Sequence, residues 1–315
     1  MSKRNGKIEL LRFVFAITVL LFHVQIDCDV LKEPLFGVFY VFPFGKLGVE
    51  FFFLLSGMLM ANSIDRDYRK ADNHPDLKHL GTDTVSFIWR KIKTVLPYHI
   101  IFCVLAIGIG IYKHGKSNES VIEYLIIQLP SVFFMNSTGW IDPSSTGLIA
   151  PEWYLSAMFL VMLVIYPLVK RYWNVVPYTF CPFAGILCIG YLLQTFNGLP
   201  GNIGSFTGVV LSVNIRAFGV LCLGVTCFKA SERIKETELK ALTGAFLKLL
   251  ELVCYMAVPV LMCIKKQYVN TCVIMLLMVA LTITFSGKGI GNQSPLFQNA
   301  FCRYLGRLSL PIYLG

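Results

Sequence analysis

Eight apolar runs, each long enough to cross a lipid bilayer, constrain the fold of this chain more than any other feature. A membrane-spanning helix needs about 20 predominantly apolar residues. The runs lie near residues 8–26, 44–63, 95–112, 153–169, 177–195, 207–228, 246–264 and 268–286. Only 15% of the 315 residues are charged, whereas soluble domains average about 25%. The sequence therefore predicts an all-α, polytopic transmembrane helix bundle.

Two further apolar segments fall short of a clear span. Residues 121–135 contain Glu123 and Pro130, which favours an interfacial or re-entrant helix, although a full crossing remains open. A last run extends from Phe301 to Gly315 and is too short to cross unaided. We therefore expect one integral-membrane domain over residues 1–315, with about nine or ten spans and an incomplete C-terminal helix.

Basic residues alternate between successive loops and indicate how the chain is threaded. They precede the first run and follow the second, fourth, sixth and eighth, whereas loops 27–43 and 196–206 contain only Lys32. Cytoplasmic loops are enriched in lysine and arginine, so the N-terminus is expected on the cytoplasmic side. This topology accounts for the net charge of +10, and nucleic acid is not an expected partner. The cysteines are scattered without paired spacing, so neither a disulfide framework nor a metal site is expected.

The first run is interrupted by two ionisable residues, Arg12 and His23. Their spacing of eleven residues corresponds to three helical turns plus about 20°, so both project from one face, separated by about 16 Å along the axis. Ionisable groups at this depth usually face a bundle interior or a water-filled cavity. Glu50 in the second run and Arg216 in the sixth mark the same kind of polar interior.

Five segments of the chain together resemble the membrane-bound acyltransferase-3 family, which O-acylates bacterial cell-surface carbohydrates. The first carries the family's arginine and histidine, with ten residues between them, as Arg12 and His23. The chain departs from the family's pattern at Thr94 and Met158, where an arginine and a glutamate are common. In chain order the segments are IELLRFVFAITVLLFH, GVEFFFLLSGMLM, FIWRKIKTVLP, PEWYLSAMFLVMLVIYP and LGRLSLPIYLG.

The resemblance implies an O-acyltransferase that moves an acetyl group from cytoplasmic acetyl-CoA to a hydroxyl of an exported or cell-surface polysaccharide. Acetyl-CoA is then the acyl-donor substrate, and no metal is required. The implied surroundings are the lipid bilayer of a bacterial cytoplasmic membrane and a carbohydrate acceptor. The identity of the glycan and the oligomeric state remain open.

The resemblance also implies roles for the intramembrane residues. His23 is the candidate general base, because its ordinary pKa lies near neutrality, and Glu50 is the candidate carboxylate that orients it. The alternatives are a histidine that only packs between helices and a glutamate that is only a charge partner. Arg12 is the candidate contact for CoA phosphate, against an anchoring ion pair with Glu9. The 16 Å spacing is close to the length of a pantetheine arm, which suggests direct transfer, although a covalent acyl-enzyme remains open.

Further residues are weaker candidates. Arg90 and Arg307 are possible additional phosphate contacts, or simply cytoplasmic topology signals. Trp153, Ser156 and Arg216 are candidates for the acceptor cleft, although a tryptophan at this position also suits an interfacial aromatic belt.

A second class of function fits the same residues. In a proton-coupled transporter or flippase of a glycan-like or organic-acid substrate, intramembrane Arg, Glu and His would form the transport pathway. No internal repeat is visible in the sequence, which disfavours this reading. A third interpretation is a catalytically inactive scaffold.

Overall fold

The described chain is almost entirely helical in the computed structural model. It covers residues 5–28, 40–72, 74–116, 120–139, 148, 150–200, 205–291 and 297–314. Over these residues the α-helices are α1 Gly6–Asp27, α2 Gly48–Lys70, α3 Leu80–Lys116, α4 Val121–Val132, α5 Trp153–Arg171, α6 Phe180–Phe196, α7 Ser212–Glu236, α8 Ala241–Met262, α9 Val269–Ser286 and α10 Ala300–Leu314. The two short strands are β1 Phe206–Thr207 and β2 Val210–Leu211.

Seven helices within the described residues are long and apolar enough to cross a membrane, which confirms the predicted all-α polytopic fold. They are α1, α2, α3, α5, α7, α8 and α9. Two shorter apolar helices are α4 and α6. The 12 residues of α4 extend only about 18 Å, against a hydrocarbon core of about 30 Å, as an interfacial or re-entrant helix would.

Helix α3 is much longer than its apolar run, because it has 37 residues and begins at Leu80 rather than near residue 95. Hydropathy detects only the apolar part of a helix. The end of the preceding segment contains Arg90, Lys91 and Lys93, which are good helix formers, and Arg90 and Lys93 stay exposed. Pro97 lies inside the helix without ending it.

The chain forms two compact units. The first contains Met1–Pro75, Tyr172–Leu199 and Gly219–Tyr313. In this unit α1 packs on α2 through the stacked rings of Phe15 and Phe51, whose centroids are 4.3 Å apart. Helices α8 and α9 pack against each other, and α9 also contacts α2.

Helices α2 and α7 approach each other closely within the first unit. A Cβ atom on Gly57 would overlap the carbonyl of Leu221, and one on Gly224 would overlap the carbonyl of Leu54. Small residues allow membrane helices to bring their backbones together in this way. Glycine is therefore required at both positions of this crossing.

The second unit contains Asp76–Arg171, Pro200–Phe218 and Leu314–Gly315. Here α3 packs on both α4 and α5. The rings of Phe87 and Tyr166 stack with centroids 4.4 Å apart. One helical turn away, the Lys170 ammonium lies 2.9 Å from the Asp83 carboxylate. These contacts set an antiparallel register between α3 and α5.

Candidate functional site

Helix α1 carries both residues of the arginine–histidine pair without interruption. Its N-terminus is capped by Asn5, whose side-chain oxygen accepts from the Lys7 amide at 3.1 Å. Because the helix is continuous from Gly6 to Asp27, Arg12 and His23 are separated by about 16 Å along one axis. The two groups therefore lie toward opposite ends of α1.

The Arg12 guanidinium pairs with the carboxylate of Glu9 across 3.7 Å. The Arg12 side chain keeps 32% of its surface exposed, whereas that of Glu9 keeps only 8%. A Cβ atom on Gly306 would overlap the Glu9 carboxyl group, so α10 lies against α1 at the level of Arg12. Arg307, the next residue of α10, is exposed. Arg12 is thus one helical turn, and Arg307 one residue, from the contact between Glu9 and Gly306.

Glu50 is fully buried in the first turn of α2. Gly48 lies against Thr18 and Phe51 stacks on Phe15, so Glu50 is about level with residue 16 of α1. His23 is seven residues further along α1, or about 10 Å along the axis. The orienting role of Glu50 stays a prediction, and a direct contact would require both side chains to extend toward each other.

The three predicted acceptor residues come together at the starts of α5 and α7 in the second unit. The Arg216 guanidinium lies over the Trp153 ring, 5.4 Å from its centroid, and its Nη1 donates to the Pro200 carbonyl at 2.8 Å. Ser156 and Arg216 are fully buried, and Trp153 is 9% exposed. Arg90 is exposed on α3, close to the register of the Phe87–Tyr166 contact and toward the other end of α5.

Ser137 links these residues into one hydrogen-bonded cluster. Its amide donates to Ser156 Oγ at 2.9 Å, and its hydroxyl donates to the Trp153 carbonyl at 2.8 Å. The side-chain amide of Asn214 donates to the Ser137 carbonyl at 2.7 Å. We call this group the Ser137 cluster; its members are Asn136, Ser137, Glu152, Trp153, Ser156, Asn214 and Arg216.

Glu152 is one of four members of this cluster that the sequence analysis did not identify; the others are Asn136, Ser137 and Asn214. Glu152 is fully buried in the turn before α5, and within the described residues neither carboxylate oxygen has a hydrogen-bond partner. Burial raises the pKa of Glu152 to about 8, and the nearby Asn136 amide offsets part of that rise. The only signal in the sequence was a carboxylate directly before an apolar run, which also describes an ordinary helix start.

A second buried polar cluster, also missed, lies in the first unit. The Lys7 ammonium is 2.5 Å from Glu251 Oε1 and also donates to the Ile290 carbonyl at 2.9 Å. Tyr255 OH lies 2.8 Å from Thr284 Oγ1, which donates to Glu251 Oε1 at 2.5 Å. The Ile290 amide donates to Glu251 Oε2 at 2.7 Å. We call these five residues the Lys7 cluster.

The helices and their buried ionisable groups define an integral-membrane protein with a polar interior in each of its two units. Residues 5–314 match the sequence model of the acyltransferase-3 family, described as an acyltransferase domain, and the chain belongs to that family. It is therefore a multi-pass membrane acyltransferase, the first of the function classes that the sequence left open. No curated protein and no solved structure matches the chain.

Proposed function

We propose that this membrane acyltransferase is an O-acetyltransferase that moves the acetyl group of cytoplasmic acetyl-CoA to a hydroxyl of an exported or cell-surface polysaccharide. Family membership supports acyl transfer in general. The observation that carries the finer proposal is the unbroken α1, with a cation and a histidine about 16 Å apart. That distance is close to the length of the pantetheine arm of CoA.

Arg12 and Arg307 are the proposed contacts for the phosphates of CoA. A guanidinium presents a planar fork of donors that suits phosphate oxygens. The partial exposure of Arg12, despite its pairing with Glu9, supports a role in binding a soluble ligand. Arg90 of the second unit is a further candidate, since it is exposed and cationic. Both sets of arginines belong to the predicted cytoplasmic side.

His23 is the proposed general base at the other end of α1. The acceptor hydroxyl attacks the thioester carbonyl carbon while the imidazole takes the hydroxyl proton. The C–S bond then breaks, and the departing CoA thiolate takes up that proton. Glu50 is the proposed carboxylate that favours the imidazolium form, and its complete burial supports an electrostatic role. Trp153, Ser156 and Arg216 are the proposed residues of the acceptor site.

Purified protein in detergent tests this proposal through CoA release and O-acetyl transfer from acetyl-CoA. We expect His23→Ala to lower transfer by about 100-fold or more, because general-base catalysis contributes 10²–10⁴-fold, while acetyl-CoA binding stays nearly intact. Arg12→Ala should raise the KM for acetyl-CoA by about tenfold, because it removes a charge-assisted hydrogen bond. Arg66→Ala, which changes an exposed arginine on α2, is the matched control and should change neither quantity.

Two outcomes would contradict the proposal. Absence of any CoA release from acetyl-CoA by the wild-type protein would reject acetyl-CoA as the donor. Equal loss of acetyl-CoA binding in His23→Ala and Arg12→Ala would show that both residues serve one structural network rather than opposite ends of the reaction.

A further inference from the structure

We infer that Asn136, Glu152 and Asn214 form a binding site for a hydroxyl group of the acceptor. None of the three was a candidate from the sequence. The inference rests on the proposed function, because it names the groups that would hold the acceptor for that reaction. It adds a hydrogen-bonding site to the predicted acceptor residues Trp153 and Arg216.

The three residues are brought together by Ser137. Asn136 precedes Ser137 in the chain, and Asn214 donates to the Ser137 carbonyl at 2.7 Å. Glu152 precedes Trp153, whose carbonyl accepts from the Ser137 hydroxyl at 2.8 Å. Each of the three side chains is therefore one residue or one hydrogen bond away from Ser137. They come from three different segments of the second unit, and Ser137 connects those segments.

The unused hydrogen-bonding groups of these residues point to a ligand. Within the described residues, both Glu152 carboxylate oxygens, Asn136 Nδ2 and Asn214 Oδ1 are buried without a hydrogen-bond partner. A buried polar group left unsatisfied costs about 1–3 kcal/mol, and native proteins tolerate few of them. The Asn136 amide lies close enough to Glu152 to lower its pKa, and with that contact counted one carboxylate oxygen and Asn214 Oδ1 still lack a partner. These remaining groups indicate that another molecule supplies the missing partners.

The chemistry of the unused groups identifies the class of ligand. Asn136 Nδ2 is a donor and Asn214 Oδ1 is an acceptor, and a carboxyl that keeps its proton can both donate and accept. Burial favours that protonated form, since it raises the pKa of Glu152 to about 8. A neutral hydroxyl donates one hydrogen bond and accepts two, so it matches the site. A metal cation would instead require an ionised carboxylate.

Other ionisable groups around Glu152 must be considered in any pH experiment. From α3, Cys103 is close enough to interact electrostatically with Glu152, and it lies 3.4 Å from His99 Nε2. From α7, the Arg216 guanidinium contacts the adjacent Trp153. Replacement of Glu152 separates its titration from that of these neighbours, because the variants keep all of them.

Acceptor kinetics test the inference with methyl glucoside, methyl galactoside and methyl N-acetylglucosaminide as probes. CoA release is followed against glycoside concentration and, separately, against acetyl-CoA concentration. At pH 7 we expect Glu152→Met to raise the half-saturating glycoside concentration by about 3- to 10-fold, as loss of one hydrogen bond predicts. The half-saturating concentration of acetyl-CoA should change less than twofold.

The conservative variant separates binding from structure. In Glu152→Gln the amide again offers a donor and an acceptor, so it should restore the glycoside affinity to within about twofold of wild type at pH 7. Above pH 8 the wild-type affinity should fall as Glu152 ionises, and that of Glu152→Gln should not. Glu123→Gln, on the exposed surface of α4, is the control. If Glu152→Met is unfolded by thermal assay, Asn136→Ala takes its place.

Failure of the inference is distinguishable from failure of the proposed function. If wild-type protein releases no CoA from acetyl-CoA, the proposed function fails. If it releases CoA and no glycoside changes that rate, or if Glu152→Met and wild type have the same glycoside affinity, the inference is overturned. The same follows if Glu152→Gln and Glu152→Met are equally impaired, since a purely structural glutamate would give that result.

Discussion

The Lys7 cluster and the Ser137 cluster each contain a fully or almost fully buried glutamate, but the two carboxylates differ in their hydrogen bonding. Glu251 has hydrogen-bond partners on both carboxylate oxygens, including a lysine. Within the described residues, neither Glu152 oxygen has a hydrogen bond of normal geometry, and the neighbouring Asn136 amide is close enough only to offset part of the rise in its pKa. The difference teaches that burial alone does not tell a structural glutamate from a functional one. The two glutamates differ in the number of filled hydrogen-bonding positions, and that difference is the basis on which we propose a ligand at Glu152.

The immediate surroundings of Glu251 explain why the Lys7 cluster is closed. A Cβ atom on Gly289 would overlap the Glu251 carboxyl group, so the chain around residues 289–290 is already in contact with it. There the Ile290 amide fills the position that a ligand would otherwise occupy. In the Ser137 cluster, the described residues place no comparable hydrogen bond on the Glu152 carboxyl.

The largest effect should come from breaking the closed cluster. Glu251→Gln leaves the Lys7 ammonium buried without a counter-charge, and removal of one partner from a buried ion pair costs about 3–5 kcal/mol. Unfolding in mixed detergent–SDS micelles measures this loss. The double variant Lys7→Met/Glu251→Met should recover most of it, because it leaves no buried charge. If Glu251→Gln lowers the free energy of unfolding by less than about 1 kcal/mol, the filled hydrogen-bonding positions of the Lys7 cluster do not stabilise the fold as expected.

An effect of opposite sign, and of at most comparable size, is expected from the same substitution in the open cluster. Burial raises the pKa of Glu152 from its ordinary 4.5 to about 8, so the folded protein binds this proton more tightly than the unfolded chain does. The contribution of Glu152 to stability is therefore full below about pH 4.5, falls as pH rises toward 8, and levels off above it. The slope is at most about 1.4 kcal/mol per pH unit.

Glu152→Gln removes that proton linkage and should be no less stable than wild type at pH 5 and more stable at pH 8. The unfolding experiment is run on both proteins at half-unit steps between pH 5 and 9. Parallel stability curves for the two proteins would show that Glu152 titrates normally in the folded state. In that case the two clusters would not differ in the way described.

The smallest effect should come from Arg69, which has two carboxylate partners but is largely exposed to solvent. Arg69 bonds to Asp65 at 2.6 Å and also to Glu232, with 55% of its side chain exposed. Exposed pairs contribute about 0–1 kcal/mol, so Arg69→Ala should cost no more than about 1 kcal/mol. The cost should shrink further in 0.5 M salt, because salt screens exposed charges. A loss above about 2 kcal/mol would indicate that partners matter more than burial.

The fold was largely predictable because a helix that crosses lipid must be apolar, and the hydropathy of the sequence shows where the apolar segments lie. The apolar runs near 153–169 and 268–286 correspond closely to α5 and α9. What hydropathy could not give was the extent of helices beyond the apolar stretch. Helix α3 continues through charged residues to Leu80, since arginine and lysine extend a helix into water at no cost in propensity.

The candidate site was predictable only where an ionisable residue stood out within an apolar run. Arg216 and Glu50 were found in this way, and both are fully buried. Glu251 lies in the run 246–264 and could have been found by the same rule, but its partner Lys7 resembled an ordinary topology signal. Glu152 lies outside any run, and its burial depends on segments distant in sequence. Pairings of that kind carry no local signature.

The Lys7–Glu251 pair also has a consequence for the synthesis of the chain. The two residues are 244 positions apart, and ribosomes add about 5–20 residues per second. Lys7 therefore waits roughly 10–50 s after its own synthesis before Glu251 exists. During that interval its long side chain can reach the membrane surface and keep the ammonium hydrated. Synthesis of the first unit therefore begins before that of the second and is completed only near the end of the chain. A ribosome that stalls before α8 would leave the Lys7 ammonium of α1 without its carboxylate partner. The incomplete chain would then be exposed to quality-control proteases.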